Sequence, residues 1–316
     1  MWRYALRRLL FLPLIVIAVS LITFVLLRVL PGQDPAKIIA GQGATPDQVK
    51  QIHQQLGLDH PIYHQYLQWV GDALRGDFGV TFHSQAPVRH EFVRRFPASF
   101  ELISLSLVIS AVFGIGFGIL SALYRNSVLD YIVRVFAVFG ASIPDFFLLT
   151  LLIIIPSYVF NYAAPIGGYH SLFHQPMLNL RQFGPPALVL GIGGSAALMR
   201  LVRTTMLEVL RADYIRTAQA KGLSQWTIVL THAFRNAATP IVTALGSAFI
   251  AVFGGSVIAE TIMSIDGVGA FFFSSTLSRD LPVIQFLAVY TAAVVIIVNL
   301  VIDLSYAVID RRVRYS

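Results

Sequence analysis

The sequence predicts an all-α polytopic membrane protein with six transmembrane helices and both termini in the cytoplasm. Two observations carry the class. Of 316 residues, 56% are hydrophobic and only 12% charged. Mean hydropathy is +0.71. A soluble chain of this length needs about twice that charge to cover its surface. A third observation carries the orientation. Arg3, Arg7 and Arg8 precede the first apolar run, Arg311, Arg312 and Arg314 follow the last, and Arg200, Arg203, Arg211, Arg216, Lys221 and Arg235 cluster around one polar segment. The two short loops on the other side carry one cation each, Arg181 and Arg279. Cytoplasmic loops hold the excess of Lys and Arg, so the ends and the polar segment are placed inside. Arg89, Arg94 and Arg95, close to the second span, run against that rule. The net charge of +7 shows no basic stripe with interleaved aromatics, so topology explains it better than nucleic acid does. With no cysteine, disulfides and thiolate chemistry are excluded.

The first span runs from Leu9 to Leu30, long enough to cross ~30 Å of hydrocarbon. It is expected to be retained, because Leu30-Pro31-Gly32 follows it where a cleaved signal has small residues. Arg28 near its end can snorkel. Residues 31–98 form an extracytoplasmic subdomain. Thr45-Pro46 starts one short helix and Pro61 another that reaches Leu74. Gly76-Asp-Phe-Gly79 makes a turn. Residues 99–310 hold five spans. The second runs from Phe100 to Tyr124, and its Gly114, Gly116 and Gly118 invite a close neighbour. The third runs from Tyr131 to Phe160 and should break at Pro144. A loop with Gly167-Gly168 leads to the fourth, which Pro185-Pro186 opens and which ends near Leu207. The fifth runs from Pro240 to Ile262, the sixth from Pro282 to Ile309, and 311–316 is a basic tail.

Between the fourth and fifth spans lies a polar island, about 211–236, read as two short helices joined at Gly222. Asp213 can cap the first and Ser224 the second, while Gly222 suits a left-handed helix end. A compact basic island flanked by spans fits either a docking element for a soluble partner or an ordinary loop.

No lysine follows a glycine, so no phosphate-binding Gly-Lys-[Ser/Thr] loop exists, and any ATP must be bound by another subunit. His90-Glu91 lacks the second histidine of a zinc protease, and no Gly-x-Ser-x-Gly elbow occurs. The pairs His60/His64 and His170/His174 have metal-compatible spacing, but solvated loop histidines are the plainer reading, and no metal site is assigned. Charges inside spans cost at least ~2.5 kcal/mol and mark pathways or partners. Asp145, beside Pro144, is the deepest; Arg200, Glu260 and Asp303 lie near span ends. After the fifth span, Met263-Ser-Ile-Asp266-Gly267-Val-Gly269 reads as an interfacial hairpin or a re-entrant gate. Pro144, Asp145, Arg200, Glu260, Asp266, Gly267 and Gly269 are the candidate pathway residues.

Ala218-Gln-Ala220-Lys221-Gly222-Leu223 resembles the coupling loop of ABC importer permeases. Asp213-Tyr-Ile-Arg-Thr217, His232-Ala-Phe-Arg-Asn-Ala237 and Pro240 make it similar to the dipeptide/oligopeptide branch. Arg7-Arg8, Leu30-Pro-Gly, Leu56-Gly-Leu-Asp59, Gly76-Asp-Phe-Gly79, Asp280-Leu-Pro-Val-Ile-Gln285 and Asn299-Leu-Val-Ile-Asp303 extend the likeness to the B-type subunit over nearly the whole chain. The resemblance implies the type I ABC importer permease fold in a bacterial or archaeal cytoplasmic membrane. It implies peptide import, with glutathione or a nickel chelate as alternatives. A lone secondary transporter or channel is the rival from another class. The implied partners are a second, C-type permease, two ATPase subunits or a homodimer that bind the ATP and Mg, and an external binding protein. Asp213, Thr217, Ala218, Ala220, Lys221, Gly222 and Leu223 would couple to the ATPase, with Ala218 and Ala220 packed in its groove. Thr217 stands where the family has Glu. Ile265-Asp-Gly-Val-Gly269 departs from the usual Trp-Pro-Gly-Leu-Gly.

Overall fold

The computed structural model describes residues 2–29, 35–40, 43–55, 57–161 and 169–309. Leu30-Pro31-Gly32, Leu56, Gly167-Gly168 and the basic tail lie outside them. The described residues are helical apart from loops, with one isolated bridge, Val80 to Pro87. The helices are α1 (Trp2–Val29), α2 (Pro35–Ala40), α3 (Pro46–Gln55), α4 (Ile62–Leu74), α5 (Val88–Leu123), α6 (Val128–Ser142), α7 (Asp145–Phe160), α8 (Pro176–Leu210), α9 (Asp213–Ala220), α10 (Gln225–Ile262), α11 (Val268–Leu277) and α12 (Leu281–Ile309). Among the described residues, α5, α8, α10 and α12 are long and apolar enough to cross a membrane. The bent pair α6 and α7 adds a fifth crossing if counted as one. α1 has 28 residues, of which Pro13–Arg28 form a described apolar stretch.

The break at Pro144 is sharp, 91° between α6 and α7. Thr45 and Gln48 satisfy each other's backbone N–H groups at the start of α3, the reciprocal arrangement of a capping box. Two expected boundaries move, and one helix is new. α5 begins at Val88, not Phe100, and runs through Pro97. α8 begins at Pro176, so Pro185 and Pro186 lie inside it instead of opening it. Both prolines are tolerated because a long helix with neighbours absorbs a missing N–H. α2 has no counterpart in the sequence reading.

The chain divides into two compact units. One comprises 98–269 and 298–316, with α8 packed mainly on α10 and then on α6. A side chain on Gly114 would start 2.7 Å from Leu198, and one on Gly118 would start 2.7 Å from Val202. Four residues apart, these glycines share one face and let α5 and α8 meet closely. Gly116, also expected to serve, has open space. At the end of these helices Asp130 is buried and held from three sides. Arg203 donates through Nε at 2.8 Å and Nη2 at 3.0 Å, Ser121 Oγ donates at 2.5 Å, and the Asn126 N–H donates at 3.0 Å. Losing one partner of such a pair costs about 3–5 kcal/mol, since the other is left charged and buried.

The second unit comprises 2–97 and 270–297. Two motifs about 200 residues apart meet in it. Phe78 packs on Phe286 at 4.3 Å, and Gly79 faces Pro282. The Phe82 N–H donates to Asp280 at 2.9 Å. Arg28 does not snorkel into open water. It donates through Nε to Gln65 at 3.1 Å and lies 3.6 Å over the Phe24 ring. Asp280 is held above the ordinary carboxylate value chiefly by burial, with the Phe82 N–H and His83 pulling it back.

Gly114→Ala should lower stability by about 1–3 kcal/mol through overpacking, whereas Gly116→Ala should be neutral or gain up to about 0.8 kcal/mol in helix propensity. Thermal unfolding in detergent checks both. A raised carboxyl favours the protonated folded form. The Asp280 contribution is therefore full below about pH 3.9 and is lost as pH rises through the folded value. The melting midpoint of the native protein should fall relative to Asp280→Asn over that rise, and parallel pH curves would contradict it.

Candidate functional site

The polar island is one short helix followed by the start of a long one. α9 ends in a Schellman motif. The Leu223 N–H donates to Ala218 O at 3.4 Å and the Gly222 N–H to Gln219 O at 2.9 Å, with Gly222 at φ +75°. Ser224 then caps α10, accepting from the Thr227 N–H at 3.3 Å. Two expectations are corrected here. Asp213 is not the cap; Ala212 is, and Asp213 is the first helical residue, 3.7 Å from Arg216. Its charge still suits a helix N-terminus. The second island helix is not a separate piece either. It widens into a π segment, Ile228–Ala233, and continues without a break to Ile262, so Pro240 lies inside a 38-residue helix.

The island has two faces. Ile215 and Ala218 point inward, into a core with Ile119, Val202, Met206 and Val229. Ala218 is thus buried in this chain, while Ala220 is exposed, and the two do not form one outward pair. The outward face carries Tyr214, Leu223, Trp226 and Leu230, all exposed, among Arg216, Thr217, Lys221 and Arg235. A cleft of about 350 Å³ lies at the island's base, lined by Ala122, Leu210, Gln219, Leu223, Gln225 and Ile228.

The helix break forms a second place of interest. Asp145 is half-buried at the N-terminus of α7, in a cleft of about 280 Å³ lined also by Gly140, Ile143, Pro144, Gly193 and Val252. Its Oδ1 lies 2.7 Å from where a Gly193 side chain would begin. Arg200 is exposed on α8, the helix that carries Gly193.

Glu260, Gly267 and Gly269 come together, apart from Asp145. Glu260 is fully buried, and Ser99 Oγ donates to it at 2.6 Å while accepting from the Val268 N–H at 2.7 Å. A side chain on Gly267 would begin against Glu260 Oε2, and one on Gly269 would begin 2.9 Å from the same oxygen. The loop is wrapped around the carboxylate and then enters α11. Asp266 is half-buried on that loop. Sequence reading missed Ser99, whose only signal was a small polar residue entering a span; it also missed Asp130 and Arg203 as a pair. The His60 and His64 rings are 5.0 Å apart, and no cluster of three metal-binding side chains occurs among the described residues.

Gly267→Ala has no room beside Glu260 and should disorder the 263–269 loop, read as faster cleavage there by added protease, whereas Gly254→Ala, in open space, should leave the cleavage rate unchanged.

Residues 114–315 match the family described as binding-protein-dependent transport system inner membrane component, and residues 1–103 match its N-terminal companion. A putative peptide transport system permease protein of Brucella abortus (strain 2308) is 37% identical over 302 residues, 96% of each chain. The glutathione transport system permease protein GsiC of Escherichia coli (strain K12) is 37% identical over 316 residues, the whole of both chains. An inward-facing structure of the MetNI methionine ABC transporter shares the fold, with a TM-score of 0.52 and 19% identity over 70% of this chain and 96% of that one.

Proposed function

This chain belongs to the family of binding-protein-dependent transport system inner membrane components, and from that premise we propose that it is the peptide-conducting permease subunit of an ATP-driven importer. Its relatives carry the names peptide permease and glutathione permease at equal identity. Glutathione is itself a small peptide, so the peptide class covers both. The chain lies in the cytoplasmic membrane and works with ATPase and binding-protein partners. The finer arrangement is a pair of homologous permeases over two ATPase domains. The chain itself holds neither ATP nor Mg and hydrolyses nothing.

The island's outward face supports the coupling role. Four exposed apolar side chains set among three cations form a patch too apolar for a plain solvated loop. Thr217, Ala220, Lys221, Gly222 and Leu223 would meet the ATPase, with Asp213 at the edge. Ala218 would serve from inside, tying α9 to α5, α8 and α10. Residues 211–236 act as the coupling segment, and 31–98 as the external subdomain. The Pro144–Asp145 break and Arg200 line the path. Glu260 and the Asp266, Gly267 and Gly269 loop shape its closure.

Gly222→Pro removes the 222 N–H and forbids a positive φ. The variant should insert and assemble with its partners, yet lose peptide-stimulated ATP hydrolysis and uptake in proteoliposomes. Full uptake by that variant would end the coupling assignment.

A further inference from the structure

Asp145, at the start of α7, lies against α8 at Gly193, and Arg200 stands seven residues further along α8. The Asp145 carboxylate lies against Gly193. From 193 to 200 a helix turns through nearly two full turns, so position 200 falls about 20° from position 193 and about 10 Å along the axis. Ala197 and Thr204 are exposed on the same face. Neither the Asp145 carboxylate nor the Arg200 guanidinium makes a hydrogen bond or ion pair among the described residues. Pro144, not Asp145, is the N-cap of α7, and it offers no side-chain cap. Gly193 and Gly255 leave the carboxylate its space, at 2.7 and 3.7 Å from where their side chains would begin.

Two unpaired, opposite charges inside spans are expensive unless water or a ligand meets them. A lone carboxylate would fit any cation, and a lone guanidinium any anion. With their anchor points about 10 Å apart along α8, they fit a molecule carrying both. An extended chain spans about 3.3–3.6 Å per residue, so three residues bridge that gap. We infer that this face of α8 is a substrate subsite for zwitterionic peptides, with Asp145 receiving the terminal ammonium and Arg200 the terminal carboxylate of a chain near three residues long. The inference deepens the proposed function and rests on it. Arg suits the carboxylate because its fork binds both oxygens.

The test uses the assembled permease–ATPase complex in lipid nanodiscs, without binding protein. Saturation-transfer NMR measures the affinity of trialanine, N-acetyl-trialanine and trialanine amide. Asp145→Asn should weaken trialanine and its amide about tenfold, and N-acetyl-trialanine less than twofold, because that peptide has no ammonium. Arg200→Gln should weaken trialanine and N-acetyl-trialanine about tenfold, and the amide less than twofold. Losses equal across the three peptides would mean a structural role, and no loss would mean that the charges serve the second permease or the lipid; either overturns the inference. So does absence of binding by the unaltered complex. Uptake separates this failure from the broader one. If proteoliposomes with binding protein still import trialanine, the peptide reading stands without the subsite. If they import no peptide, the substrate class itself falls.

Discussion

The contact between Asp130 and Arg203 joins three helices at one point. Ser121 comes from α5, Asp130 from α6 and Arg203 from α8, and the turn between α5 and α6 gives a backbone N–H to the same carboxylate. A buried charge tolerates little displacement, because moving one donor away leaves desolvated charge behind. The helix ends are therefore fixed relative to one another without help from water. The apolar core that receives Ile215 and Ala218 lies on those same helix ends, with Ile119 and Ala122 from α5 and Val202 and Met206 from α8. The island thus packs on the same helix ends that this contact joins.

Acidic side chains in this chain occupy the space that glycine leaves. Glu260 fills the position of side chains absent at Gly267 and Gly269, and Asp145 does so at Gly193. The consequences differ with the partners. Glu260 is enclosed and takes the Ser99 hydroxyl, so it fixes the loop into α11. Asp145 is half-open and unpaired, so it is free to meet something that arrives. The same local device yields a structural carboxylate in one place and a receptive one in the other.

Local chemistry was legible in the sequence where one residue type decides it. Pro144 broke its span, Gly222 took a left-handed φ, and Ser224 and Thr45 capped helices. Helix starts were less legible. The proline pair at 185–186 has the look of a first turn, and nothing local says that α8 begins at Pro176. The apolar-run criterion also overlooked the polar first turns of α5. Ala218 was assigned outward because the family likeness gives a motif without a direction. The spacing of Ile215 and Ala218, three apart and both apolar, pointed inward. Asp130 and Arg203, 73 residues apart, could not be paired without the fold. The candidate pathway residues did not converge. They fall into the Asp145 cleft, with Arg200 farther along α8, and a Glu260 loop, a division that spacing along the chain does not reveal.

α10 has a mechanical meaning beyond its packing. At 1.5 Å per residue its 38 residues form a rod of about 57 Å. A left-handed residue stands just outside each of its two ends. Gly222 sits at φ +75° before it and Ser264 at φ +51° after it. A continuous helix joins what happens at one end to the other along its own axis. Under the proposed coupling, movement of the Trp226 end would reach the Glu260 loop along one continuous helix.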